Sequence, residues 1–307
     1  MRSPARGWHG PCCRWTASRR RSMFSWRGAV MTEADFDYLC TFVRARSGLA
    51  LTPEKRYLLE SRLQPLARTR GFETLAALVR ALQAGGNGEL EQAVVEAMTT
   101  NETFFFRDKT PFETLRNDIM PRLLEARAGS RSLRIWCAAA STGQEPYSLA
   151  MMLDQMGERL AGWRVEILGT DISTQALERA RAGLYSQFEV QRGLPIQLLV
   201  RYFTQVGDQW QIAPQLRERV IFRPFNLLHD FSPLGTFDVV FCRNVLLYFD
   251  MALKADILAR LGRQIAPDGC LFLGAAETVI GLGDEVEMHP TLRGVYVPRR
   301  RGATRAA

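Results

Sequence analysis

From residue 133 of the 307-residue chain onward, five short apolar runs are each followed within a few residues by polar ones suited to hold a small ligand. Open parallel sheets bind ligands beyond the carboxyl ends of their strands, so chemistry is expected at these junctions. After Leu133–Cys137 come three alanines, Ser141, Thr142, Gly143, Gln144 and Glu145. Small residues there let the backbone approach a ligand at a helix start. The pattern is not GxGxxG, and Glu145 would repel a phosphate but accept an ammonium. A tightly packed strand-to-helix turn explains the small residues equally well. After Trp163–Gly169, Asp171 stands where an acid can accept both hydroxyls of a ribose, or can cap the next helix. After Arg219–Phe225, Asn226 and Leu227 pair an edge partner with an apolar face, as adenine requires; an ordinary loop is the plain alternative. After Phe237–Cys242 come Arg243 and Asn244, either ligand-facing or a structural cap, and then Tyr248. After Cys270–Gly274, Glu277 reads as part of a rim. Ahead of all these, Asn101, Thr103 and Arg107 flank Phe104, Phe105 and Phe106. That segment reads as rings packed inward with their neighbours presented to a site, or as an apolar plug with a solvated arginine.

The elements that must position these residues follow from periodicity. Residues 31–95 read as a helical domain. Thr32 and Asp35 form a capping box before Phe36, Leu39, Cys40 and Val43 at helical spacing. Thr52-Pro53-Glu54 opens a second helix with proline in its first turn. Its stretch carries Leu58, Leu59, Leu63 and Leu66, together with Lys55, Arg56, Arg62, Arg68 and Arg70. Thr74 begins a third helix, and a fourth is expected over 89–99. Residues 96–130 read as a linker. From 131 to 298, strand-like runs alternate with helical ones, which predicts an α/β, Rossmann-like, doubly wound parallel sheet ending in an antiparallel hairpin. Residues 183–217 are too long for a simple connection and predict a small inserted β-subdomain.

Composition narrows the function. Seven of the 40 Lys and Arg precede Met31, where there is no Asp or Glu, so the remaining chain is close to neutral against 32 Asp and Glu. It shows no aromatic-and-basic groove for nucleic acid, and no apolar run long enough for a membrane span. Residues 1–30 lack the apolar core of a secretory signal and read as a disordered or mis-assigned extension; residues 299–307 read as a basic tail. The six cysteines form no CxxC pair, and with three histidines no zinc constellation is visible. Cys137, Cys242 and Cys270 read as buried reduced thiols.

Taken as literal strings in order, MTTNETFFFR, AAASTGQEPYSLA, GTDIS with ALERARAGLY, FNLL, FCRNVLLYFD and PDGCLFLGAAE resemble the chemotaxis receptor protein-glutamate O-methyltransferases, the CheR family. The resemblance covers about residues 31–297. It implies a class I methyltransferase sheet with an inserted β-subdomain, preceded by an all-α N-terminal domain that docks on receptors. It implies methyl transfer from S-adenosylmethionine to receptor glutamates, leaving S-adenosylhomocysteine. Carried over residue by residue, the cofactor contacts fall on Asn101, Thr103, Arg107, Glu145, Asp171, Asn226, Leu227, Arg243 and Asn244. The active-site pair falls on Arg107 and Tyr248, with no metal. The implied partner is the cytoplasmic helical domain of methyl-accepting chemotaxis receptors, met by a cytoplasmic monomer recruited to receptor arrays. The hairpin around Val206–Pro214 is short and lacks a glycine-rich extension, which argues against docking of a receptor tail peptide.

Overall fold

The computed structural model describes residues 31–299; the expected 1–30 extension and all but the first residue of the 299–307 tail lie outside the described residues. The chain begins with α1 (Glu33–Ser47), started by the reciprocal Thr32–Asp35 capping box and stopped by Gly48 in the left-handed region, φ 80°. A 3-10 turn (Pro53–Lys55) leads into α2 (Arg56–Thr69), followed by α3 (Leu75–Ala84) and α4 (Gly88–Met98). These helices close on their own core of Phe36, Leu39, Val43, Leu59, Leu63, Leu78 and Val94.

The expected linker over 96–130 is largely helical. It contains α5 (Thr110–Thr114), a π turn (Leu115–Ile119) and α6 (Met120–Ala126). Phe112, Leu115, Ile119, Met120 and Leu123 are buried in the core of the sheet domain.

The sheet domain continues with β1 (Ser132–Ala138), α7 (Gln144–Asp154), β2 (Arg164–Asp171) and α8 (Thr174–Ala182). The insertion follows as β3 (Leu184–Ser186), α9 (Gln187–Gln191), α10 (Ile196–Tyr202), β4 (Phe203–Val206), β5 (Gln209–Ile212) and α11 (Pro214–Arg217). The chain returns through β6 (Val220–Pro224), β7 (Phe237–Cys242), α12 (Met251–Gln264), β8 (Ile265–Leu273), β9 (Val286–Met288) and β10 (Val295–Pro298). The main sheet has the order β6-β2-β1-β7-β8-β10-β9, and the insertion forms a separate antiparallel sheet, β3-β5-β4. The first five strands of that order pair in parallel, and β10 is antiparallel to both β8 and β9.

Alternation along β1 explains the layering. Ile135 and Cys137 face one apolar layer while Trp136 and Ala138 face the other, so both sides of the sheet are covered. Cys137, Cys242 and Cys270 are unbonded and buried, and burial pushes each thiol up. The strand begins earlier than expected at β8, which takes in Pro267-Asp268-Gly269 with a register irregularity opposite Phe237–Val239. A Cβ on Gly269 would lie 2.5 Å from the Asp238 carbonyl oxygen, so only glycine lets the strands approach there.

Candidate active site

The order of strands reverses between β1 and β7, which places the crevice of this fold at their carboxyl ends. A cavity of about 880 Å³, counting its open mouth, lies there. Asn101, Thr103, Arg107, Glu145, Asp171, Leu227, Arg243, Asn244 and Tyr248 all line it. Asn226 is the expected contact that does not. Its Nδ2 donates to the Arg46 carbonyl at 2.7 Å and its Oδ1 accepts from Leu228 N at 3.0 Å, so it ties the end of α1 to the loop after β6.

The loop after β1 is bent hard: Ala139 and Ser141 have φ of 65° and 51°. Three of its amides are spent within the protein. Ala140 N donates to the Thr170 carbonyl, Ser141 N to Asp171 Oδ2 and Gly143 N to the Ala140 carbonyl. Those three N–H groups are therefore not free to cradle a pyrophosphate. Asp171 takes a further amide, Ser173 N, on Oδ1 at 2.9 Å. Asp171 thus clamps two loops and lines the cavity, while the cap of the next helix is Ser173, whose side chain accepts from Ala176 N. Burial raises its carboxyl, against the lowering effect of those backbone amides.

Arg243 is buried and bridges two carboxylates, Glu145 and Asp108, while donating to the Arg107 carbonyl. Its Nε has no hydrogen-bond partner, nor does the buried Oδ1 of Asn244. The segment that carries Arg107 divides its three rings. Phe105 packs edge-on to Tyr185 and Phe203, and Phe106 packs on Phe112. Phe104 lies under the guanidinium groups of both Arg107 and Arg192. Arg107 also donates to the Glu102 carbonyl at 3.0 Å. Around it Phe106, Asp108 and Lys109 all have positive φ, 50°, 66° and 46°. Non-glycine residues held there store about 1–3 kcal/mol each, and such strain collects at functional sites.

The helical domain supplies a wall that strand-end reasoning does not reach. Ser47, Leu49, Thr99 and Thr100 line the cavity. The domains are pinned by Ala50 N donating to the Tyr248 carbonyl, by Arg44 with Asp250 and by Glu96 capping Thr174. Phe225 and Phe249, also lining, had a local signal: each is an aromatic beside an expected site residue.

These features fit S-adenosylmethionine. Glu145 suits an ammonium, Asp171 a ribose, Leu227 and Phe225 an apolar ring, and the orphaned Asn244 Oδ1 a donor. Sheet and cleft together define a methyltransferase that uses S-adenosylmethionine. The family model described as "CheR methyltransferase, SAM binding domain" matches residues 101–295, and that for the "CheR methyltransferase, all-alpha domain" matches 34–99. The Pseudomonas aeruginosa "Chemotaxis protein methyltransferase 1" is 45% identical over 83% of this chain and 94% of its own length. The Vibrio cholerae protein of the same name is 40% identical over 84% and 95%, and the Escherichia coli "Chemotaxis protein methyltransferase" 35% over 87% and 91%. The chain belongs to the CheR methyltransferase family.

Proposed function

We propose that this enzyme esterifies glutamate side chains of chemotaxis receptors, with Arg107 and Tyr248 at the substrate carboxylate. Asn101, Thr103, Arg107, Glu145, Asp171, Leu227, Arg243 and Asn244 hold the cofactor, while Asn226 braces the pocket from outside. The observation that carries the reading is that Arg107 and Tyr248 line the same cavity as Glu145 and Asp171.

When bound, S-adenosylmethionine supplies an activated methyl on a cationic sulfonium. A glutamate carboxyl has a reference pKa near ~4.3 and arrives ionised at neutral pH, so the residues need not take a proton from it. Charge is lost as the ester forms, so the residues mainly align the reacting atoms and exclude water. Arg107, steadied by Phe104 and the Glu102 carbonyl, orients the incoming carboxylate. A grip centred on the attacking oxygen would lower its nucleophilicity, so Arg107 orients rather than neutralises. Tyr248, half-buried at the cavity, hydrogen-bonds the same group.

Docking falls to exposed cations at and beside the two ends of α2, Lys55, Arg68 and Arg70, facing a glutamate-rich helical partner. Arg62 is differently employed: it donates to the carbonyls of Met98 and Thr99 and to Thr100 Oγ1, holding the segment that leads to Asn101. No helix among the described residues is long and apolar enough to cross a membrane; we place the enzyme in the cytoplasm, acting as a monomer at receptor arrays.

The test is transfer of tritiated methyl to a purified receptor cytoplasmic domain. Base-labile label on the receptor is expected; base-stable label, or none, rejects glutamate as the acceptor.

A further inference from the structure

We propose that Glu277 is a positioning residue for methyl transfer, shaping both Asn244 and the turn that carries Tyr248. The proposal rests on the roles given above to the pocket and to Tyr248. Glu277 follows β8, three residues after Gly274. One of its oxygens accepts from Gly274 N at 2.7 Å and Asn244 N at 2.8 Å; the other accepts from Val245 N at 3.0 Å and Leu247 N at 3.2 Å. An ionised carboxylate has about four acceptor sites. All are taken by backbone, so Glu277 has no capacity left for a ligand and must act through the loop it holds.

That loop is where the chemistry gathers. Asn244 sits at φ 58°, in the left-handed region, with its unpartnered Oδ1 buried at the cavity. A Cβ on Gly274 would lie 2.7 Å from Asn244 Nδ2 and 2.8 Å from Glu277 Oε2, so the ends of β7 and β8 meet with no space between them. The next residues form the 3-10 turn Leu246–Tyr248. Its far end is tied to the helical domain by Ala50 N on the Tyr248 carbonyl at 2.9 Å. Glu277 therefore fixes one end of the Tyr248 turn and the α1–α2 connection fixes the other. No neutral isostere can replace it. Glutamine offers one accepting oxygen and one donating amide, and the amide would face two N–H groups. Aspartate keeps the charge but retracts it by one methylene.

The experiment is a pair of double-mutant cycles on the full chain, using the Glu277→Gln substitution. It is made alone, with Tyr248→Phe and with Asn244→Ala, reading kcat for receptor methylation, calorimetric affinity for S-adenosylhomocysteine and Tm. We expect kcat to fall about tenfold or more and product affinity to weaken, while the variant still unfolds cooperatively. The kcat loss shrinks below about threefold in the Tyr248→Phe background, and the affinity loss shrinks likewise in the Asn244→Ala background. Should Glu277→Gln not fold, Glu277→Asp takes the same readings and must show the same couplings. Equal losses in every background, or wild-type kcat and affinity, overturn the proposal. If Tyr248→Phe alone runs at the wild-type rate, the reading of Tyr248 fails, and the affinity cycle with Asn244 alone decides whether Glu277 positions the pocket.

Discussion

The Arg243 guanidinium donates to Glu145 Oε2 at 2.8 Å, with the arginine side chain only 1% exposed. Burial pushes the Glu145 carboxyl above its ordinary 4.5, while Arg243 and Arg107 pull it down. A carboxyl that holds its proton more tightly when folded makes the native state bind more protons between its two pKa values. Stability therefore falls as pH rises from 4.5 through the raised value. Affinity for S-adenosylhomocysteine moves the other way and weakens as pH falls through that window, because the ammonium loses its anion. Glu145→Gln should bind about tenfold more weakly at neutral pH, the worth of a charge-assisted hydrogen bond, and show a shallower pH profile by calorimetry. Asp171, raised in the same direction, keeps a remnant slope in stability.

Removing Arg243 should do more harm than removing Glu145. Arg243→Met leaves the buried Glu145 carboxylate without its ion-pair partner, a change that costs about 3–5 kcal/mol. Denaturant unfolding should show that loss, and Glu145→Gln placed on top should recover part of it.

Arg107→Ala should abolish methyl transfer. Tyr248→Phe should lower kcat roughly tenfold, as expected for one lost hydrogen bond, and leave cofactor affinity largely intact. Full activity of the Arg107 variant would remove the assignment of that residue.

The cations in and beside α2 should separate into two groups. Lys55→Ala and Arg70→Ala should raise only the KM for receptor, and more so at low salt, because both are exposed. Arg62→Ala should also weaken cofactor binding, since it frees Thr99 and Thr100 from α2. Parallel receptor titrations and calorimetry distinguish the groups.

Gly193→Ala tests the join between the insertion and the Arg107 segment. At φ +84° with a Cβ 2.1 Å from the Phe105 carbonyl oxygen, alanine should cost about 3 kcal/mol or more in Tm-based stability.

Much of this was legible in the chain because the determinants are local. Apolar runs ending in Asp171 or Arg243-Asn244 mark strand ends, and the strand-end rule then points to the cleft. Helices α5 and α6 escaped because the short stretches that carry Pro111 and Pro121 show no long helical period, and residues 96–130 read as a linker. In the fold both prolines occupy first helical turns, where a missing N–H is harmless. Ser47 and Leu49 carry no local sign of a site; they reach the cavity only because distant contacts such as Asn226 to Arg46 set one domain on the other. The same distance explains Glu277, whose bonds cross about 30 residues of sequence to the loop after β7. Arg62 misleads in the opposite direction, since its charge suggests a partner outside the chain when its partners are three groups within it.

The most direct measurement is mass-spectrometric mapping of a receptor cytoplasmic domain after reaction with enzyme and S-adenosylmethionine. The account requires a gain of one methylene on specific glutamates, removed by mild base and absent with Arg107→Ala. Modification confined to other residue types, or present in equal yield with the Arg107 variant, would contradict it.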